Sequence, residues 1–196
     1  MTAALAPARQ PLHDRTIVLV GLMGVGKSSV GRRLATALNL PFRDADSEVE
    51  AAAGRSISEI FADLGEAAFR DGERRVIARL LDEPPHVLAT GGGAFVNPDT
   101  RALIKQRALA VWLRADLDLL ARRIGRKDSR PLLKGRDPIE VLREHAAVRY
   151  PAYAEAHLTV DTSDTPHAVA VEAVINALRH HVEDQAAAPV SGESPS

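Results

Sequence analysis

The sequence predicts an α/β fold in which a parallel sheet of about five strands is flanked by helices, giving three layers. Short runs of β-branched and aliphatic residues alternate with segments of helical periodicity along most of the chain. Several of the short runs are apolar throughout, as in strands that are buried on both faces. Such alternation favours right-handed crossovers between parallel strands, and ligands of these sheets bind at the strands' carboxyl ends.

The expected strands are five short runs bounded by polar residues or glycine. They cover residues 16–20, 41–45, 86–90, 109–113 and 158–160. Apolar stripes at helical spacing lie between them, formed by Val30, Leu34 and Leu38 and by Phe69, Val76 and Leu80. Either Asn97 or Asp99 is expected to cap the helix that follows residue 96.

A phosphate-binding loop is predicted directly after the first strand. Residues 21–28 match G-x-x-x-x-G-K-[ST] at every fixed position, with a strand before the match and an amphipathic helix after it. The glycines allow backbone N–H groups to point at phosphate oxygens, Lys27 can reach the β- and γ-phosphates, and the Ser28 hydroxyl can bind Mg²⁺. A plain glycine turn is the alternative. A dinucleotide fingerprint fails because Ser29 stands where its third glycine belongs.

The chain lacks the other motifs of a GTPase. No glycine has an aspartate three residues before it, and N-K-x-D does not occur. A small-molecule kinase is therefore the expected class.

Two carboxylates follow the second expected strand. At a period of two, Asp44 and Asp46 would point the same way from the strand's end. One can support the Mg²⁺ shell, and the other can accept a hydrogen bond from a substrate hydroxyl or act as a base. The alternative is that Asp46 only caps the next helix.

Two arginines lie on apolar helix faces. Arg70 shares a face with Ile77 and Leu81, with Glu73 placed to brace it, and Arg149 lies in the same kind of pattern. A guanidinium on such a face pairs with a carboxylate, either of the protein or of a ligand. The pair suggests a site for a carboxylated or otherwise anionic acceptor.

Two further segments suit phosphoryl transfer. Gly91, Gly92 and Gly93 end a buried strand, where bare backbone can approach a ligand, although a loose loop is the alternative. Residues 122–136 carry seven cationic side chains with glycines near both ends. This segment suits a flap that closes over phosphates and brings Arg130 to the transferring group, or else a solvated basic loop.

Composition narrows the function classes. There is no cysteine, and the net charge is −1, so disulfides, thiolate metal sites and a broad nucleic-acid footprint are not expected. No apolar run is long enough for a membrane span, and residues 1–15 do not read as a secretory signal. We expect a monomeric cytoplasmic protein with flexible ends at residues 1–15 and 183–196.

Taken together, these motifs resemble the shikimate kinase family. The matching pieces are GLMGVGKSSVGRRLA, DADSEVE, GRSISEIFADLGEAAFR, TGGGAF, SRPLL and VRYPAYAE, and the resemblance covers about residues 16–180. It implies a P-loop NTPase fold like that of nucleoside monophosphate kinases, forming one domain at 16–182 with a mobile lid at about 125–137. It also implies ATP-dependent phosphorylation of the shikimate 3-hydroxyl, with Mg²⁺ as cofactor, in the pathway to chorismate and the aromatic amino acids.

The resemblance also implies roles for individual residues. Asp46 would hold the acceptor hydroxyls, and Arg70 and Arg149 its carboxylate. The triple glycine around Gly92 would line the pocket, with Phe61 and Phe69 as apolar walls. The ATP phosphates would lie on Gly24, Val25, Gly26, Lys27, Ser28 and Ser29. Ser28 would bind Mg²⁺ with Asp44 in its outer shell, Arg130 would be the lid arginine, and Arg123 and Pro166 would flank adenine.

Three rivals stay open. Another small-molecule kinase of this fold, such as a gluconate kinase, would not need a pocket for a cyclic polyol acid. A nucleotide kinase would need a base-recognition region that the chain does not display. A regulator that binds ATP without catalysis is disfavoured by Lys27, Ser28, Asp46 and Arg130 occurring together.

Overall fold

The computed structural model describes residues 14–125 and 136–187. Five strands form one parallel sheet in the order β2-β3-β1-β4-β5. They are β1 (Thr16–Val20), β2 (Phe42–Asp44), β3 (Val87–Ala89), β4 (Ala108–Arg114) and β5 (Leu158–Asp161). The predicted fold class, the parallel pairing and the place of every strand are confirmed.

Seven α-helices connect and flank these strands within the described residues. They are α1 (Lys27–Leu38), α2 (Ala45–Ala53), α3 (Ile57–Leu81), α4 (Pro98–Arg107), α5 (Leu117–Gly125), α6 (Pro138–Tyr153) and α7 (His167–Ala187). A short 3-10 turn covers Ala94–Val96. Of the two caps expected for α4, the Asn97 side chain is the one that accepts from backbone N–H groups, those of Asp99 and Thr100.

The core lies on both faces of the sheet. All five residues of β1 and all but the last residue of β4 are buried, so both faces of these central strands must be covered by helices. The stripe of Val30, Leu34 and Leu38 is buried on α1, as predicted. The second predicted stripe, on α3, is buried too.

Helix α3 is bent. Ser56 and Glu59 form a capping box at its start, and Gly65 interrupts it with φ 80° and ψ 173°. The half after Gly65 carries Arg70 and Glu73, which lie against Gly93 and Gly91 after β3. The sequence did not predict this bend.

The strand register brings three loops to one edge of the sheet. Leu19 of β1 lies opposite Ala89 of β3, and Ala89 lies opposite Asp44 of β2. Just beyond this level, the Thr90 backbone N–H and hydroxyl both donate to the Leu19 carbonyl, at 3.2 and 3.0 Å. The loops after β1, β2 and β3 therefore begin side by side, as ligand binding at the carboxyl ends requires.

Parts of the predicted domain organisation fall outside the described residues. These include residues 1–13, residues 126–135 of the lid and residues 188–196. Helix α7 continues to Ala187, so the tail predicted to begin at residue 183 was placed too early. None of the helices within the described ranges has the length and hydropathy needed to cross a bilayer.

A histidine side chain continues the β4–β5 ladder. Strand β5 begins with Leu158 opposite Val111, and one step earlier the Ala110 N–H donates to His157 Nδ1 at 3.0 Å. Since Nδ1 accepts this hydrogen bond, it carries no proton in the folded chain.

The surroundings of His157 favour the neutral ring. Burial lowers its pKa most, and the positive charges of Arg15, His181 and Lys105 lower it further. The His181 ring centroid is 6.3 Å away. The unfolded chain therefore binds more protons than the folded chain below the ordinary histidine pKa of about 6.5, so this contribution to stability is lost as the pH falls through that range.

We expect His157→Asn to weaken the acid sensitivity of folding. Asparagine can offer an acceptor at the same branch position but does not titrate. Urea unfolding at pH 7.5 should place the variant within about 1 kcal/mol of the parent, which is the net value of one hydrogen bond. Between pH 7.5 and 5.5 the variant should lose less unfolding free energy than the parent. His180→Asn, at an exposed position of α7, is the control and should keep the parental slope.

Candidate functional site

The glycine-rich loop joins β1 to α1, as the motif predicted. Gly24 has a φ of 82°, and a methyl group there would come within 2.8 Å of Ile124 Cγ2 on α5. A methyl group at Gly26 would lie 3.5 Å from His167 Cε1 at the start of α7. Glycine is thus required at Gly24 by conformation and by space, and α5 and α7 flank the loop.

The polar side chains of the motif lie at the mouth of this loop. Lys27 Nζ donates to the carbonyls of Gly21 and Leu22 at 2.8 and 3.1 Å. Ser28 Oγ donates to Asp44 Oδ2 at 2.7 Å. A hydroxyl and a carboxylate at hydrogen-bond distance are the hard oxygen donors that Mg²⁺ prefers, so the chemistry of this pair fits that ion.

The strand period of two, from which we predicted that Asp44 and Asp46 point the same way, was the wrong reason. Only Asp44 belongs to β2, whereas Asp46 lies in the first turn of α2, so a strand period cannot relate the two. The alternative role for Asp46 was also wrong, because Asp44 is the N-cap and accepts from the Asp46 N–H at 3.2 Å. The helix turn still brings both carboxylates to one cavity.

Burial and neighbouring charge act together on Asp46. Burial raises the pKa of its carboxyl, and the negative charges of Asp44 and Glu50 add to that effect, against the positive charges of Lys27 and Arg70. A carboxylate whose pKa is raised is a stronger proton acceptor once it is ionised.

Each residue of the triple glycine lies against a different charged side chain. A methyl group at Gly91 would come within 2.8 Å of Asp46 Oδ1 and 2.9 Å of Glu73 Oε1. These oxygens belong to α2 and α3. The missing Cβ therefore lets two carboxyl groups from separate helices meet beside the end of β3.

The two arginines lie against the next two glycines. A methyl group at Gly92 would come within 2.7 Å of Arg149 Nη1, and one at Gly93 within 2.5 Å of both terminal guanidinium nitrogens of Arg70, Nη1 and Nη2. The structure thus brings Arg70 and Arg149 together with the glycine loop. Both guanidinium groups therefore face these glycines.

Arg70 is held by its own helix. Its Nη1 donates to Glu73 Oε2 at 2.7 Å, which confirms the predicted brace, and Glu66 accepts two weaker bonds at 3.3 Å. Beneath it, the Phe69 ring centroid is 5.0 Å from the guanidinium carbon. The guanidinium plane is therefore fixed on one side by an aromatic ring and on its edge by a carboxylate.

Glu73 has a buried carboxyl group, and among the described residues only one of its oxygens is hydrogen-bonded. It is 2% exposed, and Oε1 has no hydrogen-bond partner among the described residues. Burial raises its pKa, the bond and charge of Arg70 oppose this, and Asp46 adds to it.

The predicted apolar walls differ in exposure. The rings of Phe61 and Phe69 are 4.8 Å apart, but Phe69 is buried while Phe61 is 39% exposed. Phe61 therefore lies on the exposed side of the group formed by the triple glycine, Arg70 and Arg149, which we call the acceptor corner.

One cavity of about 300 Å³ connects the glycine-rich loop with the triple glycine. It reaches from the glycine-rich loop across the ends of β1, β2 and β3. Its lining includes Gly24, Gly26, Lys27, Ser28, Ser29, Asp44, Asp46, Thr90, Gly91 and Gly92, together with Met23. A phosphate held by the loop and a ligand held at the triple glycine would therefore share one space.

The predicted adenine-flanking residues lie close to one another. Arg123 Nη2 donates to the Ser163 carbonyl at 2.9 Å and lies 3.9 Å from an Asp164 oxygen. Pro166 follows that loop and is exposed directly before α7. Arg130, in contrast, is outside the described residues.

Sequence reasoning missed Tyr153 and Thr90. The Tyr153 hydroxyl donates to the Gly92 carbonyl at 2.5 Å, a contact between residues 61 positions apart. Thr90 stands where a Walker B strand would have its aspartate. The missing aspartate was the sequence feature that could have drawn attention to this position. Tyr153 lies in the quoted VRYPAYAE segment, but nothing in that pattern singles out its hydroxyl.

Known proteins resemble this chain over most of its length. The shikimate kinase family model matches residues 23–179. A shikimate kinase of Caulobacter vibrioides is 76% identical over 169 residues, which is 86% of this chain and 84% of that protein. A structure titled as shikimate kinase from Acinetobacter baumannii in complex with shikimate is 38% identical, with a TM-score of 0.78, covering 83% of this chain and 91% of that one.

A kinase of another specificity shares the fold. A gluconokinase from Sinorhizobium meliloti is 21% identical, with a TM-score of 0.63, covering 89% of this chain and 97% of that one. At this identity the likeness concerns the fold alone.

We expect Gly24→Ala to weaken nucleotide binding by at least about tenfold, because the methyl group adds a clash with Ile124 to an unfavourable φ. Gly54→Ala is the matched control, since its φ is 66° but nothing lies within 4 Å of the added methyl. The control should lose about 1 kcal/mol of unfolding free energy and keep its affinity. Calorimetric titration with ATP and urea unfolding measure both quantities. Equal affinities of the two variants would contradict a steric role for Gly24.

Proposed function

The chain belongs to the shikimate kinase family, and from this membership we propose how its residues carry out the family's reaction. The enzyme phosphorylates the 3-hydroxyl of shikimate with ATP, giving shikimate 3-phosphate and ADP, in the pathway to chorismate and the aromatic amino acids. The observation that best supports our assignment of residues is a cavity whose lining includes the phosphate loop, Asp46 and two residues of the triple glycine, Gly91 and Gly92.

The ATP phosphates bind on residues 24–29. Their backbone N–H groups and the start of α1 provide partial positive charge, and Lys27 binds the β- and γ-phosphates. Ser28 would hold Mg²⁺ with Asp44 in its outer shell, and the hydrogen bond between these two side chains supports this. When bound, Mg²⁺ would neutralise charge on the phosphate oxygens.

Shikimate binds at the triple glycine. Its carboxylate pairs with the guanidinium groups of Arg70 and Arg149, which lie against Gly93 and Gly92. Phe61 and Phe69 form an apolar wall beside the ring, and Glu73 keeps Arg70 in place. A gluconate kinase would need an acceptor pocket of different shape, because its open-chain acceptor does not fill a pocket for a cyclic polyol.

Asp46 acts on the attacking hydroxyl. It accepts a hydrogen bond from the 3-hydroxyl and takes its proton as the oxygen bonds to the γ-phosphorus and the bond to ADP breaks. Positioning of the two substrates in one cavity supplies a large part of the acceleration in such transfers. The raised pKa of Asp46 supports this role.

We also propose that a lid at about 125–137 closes over the phosphates, with Arg130 neutralising charge on the transferring group. Arg123 and Pro166 flank the adenine. The kinase domain spans 16–182, and the enzyme works in the cytoplasm as a monomer, without a nucleic-acid or membrane partner. The net charge of −1 supports the absence of a nucleic-acid partner.

We expect Arg149→Ala to raise the KM for shikimate about tenfold to a hundredfold, because a charge-assisted pair with the carboxylate is lost. The KM for ATP should change little. A coupled assay of ADP release, titrated separately with each substrate, measures both constants. Arg143→Ala, at an exposed position of the same helix, is the control and should match the parent. Equal weakening of both substrates would contradict the role of Arg149, and ADP release that does not depend on shikimate would contradict the reaction.

A second prediction concerns the pH dependence of turnover. Since Asp46 must be ionised and its pKa is raised, kcat/KM for shikimate should fall on the acid side at a pH above the ordinary aspartate pKa of about 3.9. Glu50→Gln removes one of the charges that raise this pKa, so the acid limb should move to lower pH. Glu48→Gln, on the same helix, should leave the limb in place, and any limb contributed by ATP is common to both variants. If the acid limb of Glu50→Gln stays at the parental pH, the group that titrates there is not Asp46.

A further inference from the structure

Tyr153 is a buried aromatic residue at the end of α6, beside the acceptor corner. Its side chain is fully buried, and its ring centroid lies 5.8 Å from that of Trp112 on β4 and 6.4 Å from that of Tyr150. Packing alone would be satisfied by phenylalanine at this position. The hydroxyl therefore needs a separate explanation.

The hydroxyl links two parts of the site that are far apart in sequence. It donates to the Gly92 carbonyl, and a side chain beginning at Gly92 would meet Arg149 Nη1 at 2.7 Å and the Tyr153 hydroxyl at 3.7 Å. A phenol has one proton, so with that proton on the Gly92 carbonyl only the lone pairs of the oxygen remain for other groups. Tyr153 is thus a donor to the glycine loop and lies beside the Arg149 guanidinium.

The phenol oxygen therefore borders two groups that the acceptor meets. The first is the Arg149 guanidinium, whose Nη1 would lie 2.7 Å from a Cβ atom at Gly92. The bond to Gly92 sets the plane of the peptide that follows. This peptide is trans, so the Gly93 N–H points in the direction opposite to the Gly92 carbonyl, away from Tyr153.

We propose that Tyr153 is a positioning residue for the shikimate carboxylate, acting through Arg149 and the Gly92–Gly93 peptide without touching the substrate. The inference rests on the proposed role of Arg149. It adds a neighbour that can hold that guanidinium in one orientation: Arg70 has ion pairs with Glu73 and Glu66, and Arg149 lies beside the phenol oxygen.

The protonation state of Tyr153 keeps its hydrogen bond to the Gly92 carbonyl in place. Burial raises its pKa to about 12, against the positive charge of Arg149. The hydroxyl keeps its proton throughout the neutral range, so the bond to Gly92 does not depend on pH there.

The test removes the hydroxyl and keeps the ring. Tyr153→Phe should raise the KM for shikimate about tenfold, because the Gly92 peptide loses its hydrogen bond and the guanidinium beside it loses a polar neighbour, with kcat and the KM for ATP within about twofold of the parent. Tyr150→Phe is the matched control, because it is the same substitution on the same helix and its ring also lies against Trp112, at 5.0 Å. The control should keep all three constants.

A double-mutant cycle separates positioning from a general loss of structure. In an Arg149→Ala background, Tyr153→Phe should change the KM for shikimate by less than about twofold, because the group through which it acts is gone. The same increase in both backgrounds, a matching increase in the KM for ATP, or an unchanged KM in the parental background would each overturn the inference. Should Arg149→Ala itself leave the KM for shikimate unchanged, the proposed function of Arg149 fails, and this inference fails with it.

Reduced folding of Tyr153→Phe need not obscure the result. The chain has a single tryptophan, Trp112, and it lies next to the Tyr153 ring. Its fluorescence can follow shikimate binding on the folded fraction at low temperature, with urea unfolding to give that fraction. A Kd that rises about tenfold in the folded variant supports positioning, and an unchanged Kd overturns it.

Discussion

The acceptor corner depends on three consecutive residues without side chains. Residues 91–93 end β3 with bare backbone, and Asp46, Glu73, Arg149 and Arg70 occupy the space that Cβ atoms would otherwise fill. These four side chains come from three different helices. Since a methyl group at any of the three positions would come within 3 Å of a charged group, the charges could not converge there in a chain with ordinary residues at the strand's end.

The same strand end fixes the distance between the acceptor corner and the phosphate loop. β3 pairs with β1 on one side and β2 on the other, and Thr90 adds two hydrogen bonds to the Leu19 carbonyl. A rigid sheet edge therefore carries the phosphate loop, the triple glycine and the turn into α2. This explains how the chain can place a terminal phosphate and an alcohol in one cavity with little motion of the sheet itself.

The sequence predicted what depends on local chemistry and missed what depends on distant contacts. The phosphate loop was found because backbone binding of phosphate demands a particular order of glycines before Lys27 and Ser28. Asp46 was placed in the right site for a wrong reason, since α2 begins directly after Asp44 and helix geometry replaces the strand period. Tyr153 could not be found, because the carbonyl that gives its hydroxyl a role lies 61 positions away.

Burial raises the pKa of Asp46 and Glu73, and neighbouring cations oppose that effect. Lys27, Arg70 and Arg149 face Asp44, Asp46 and Glu73, so the charges of the site nearly cancel before any substrate binds. A nucleoside triphosphate and an organic acid bring more negative charge than one divalent cation removes. Further cations must then come from outside this set, and residues 122–136 contain seven basic side chains. In the proposed function, a corner whose own charges balance would gain positive charge when this segment closes over bound phosphates, and would attract fewer stray anions before that.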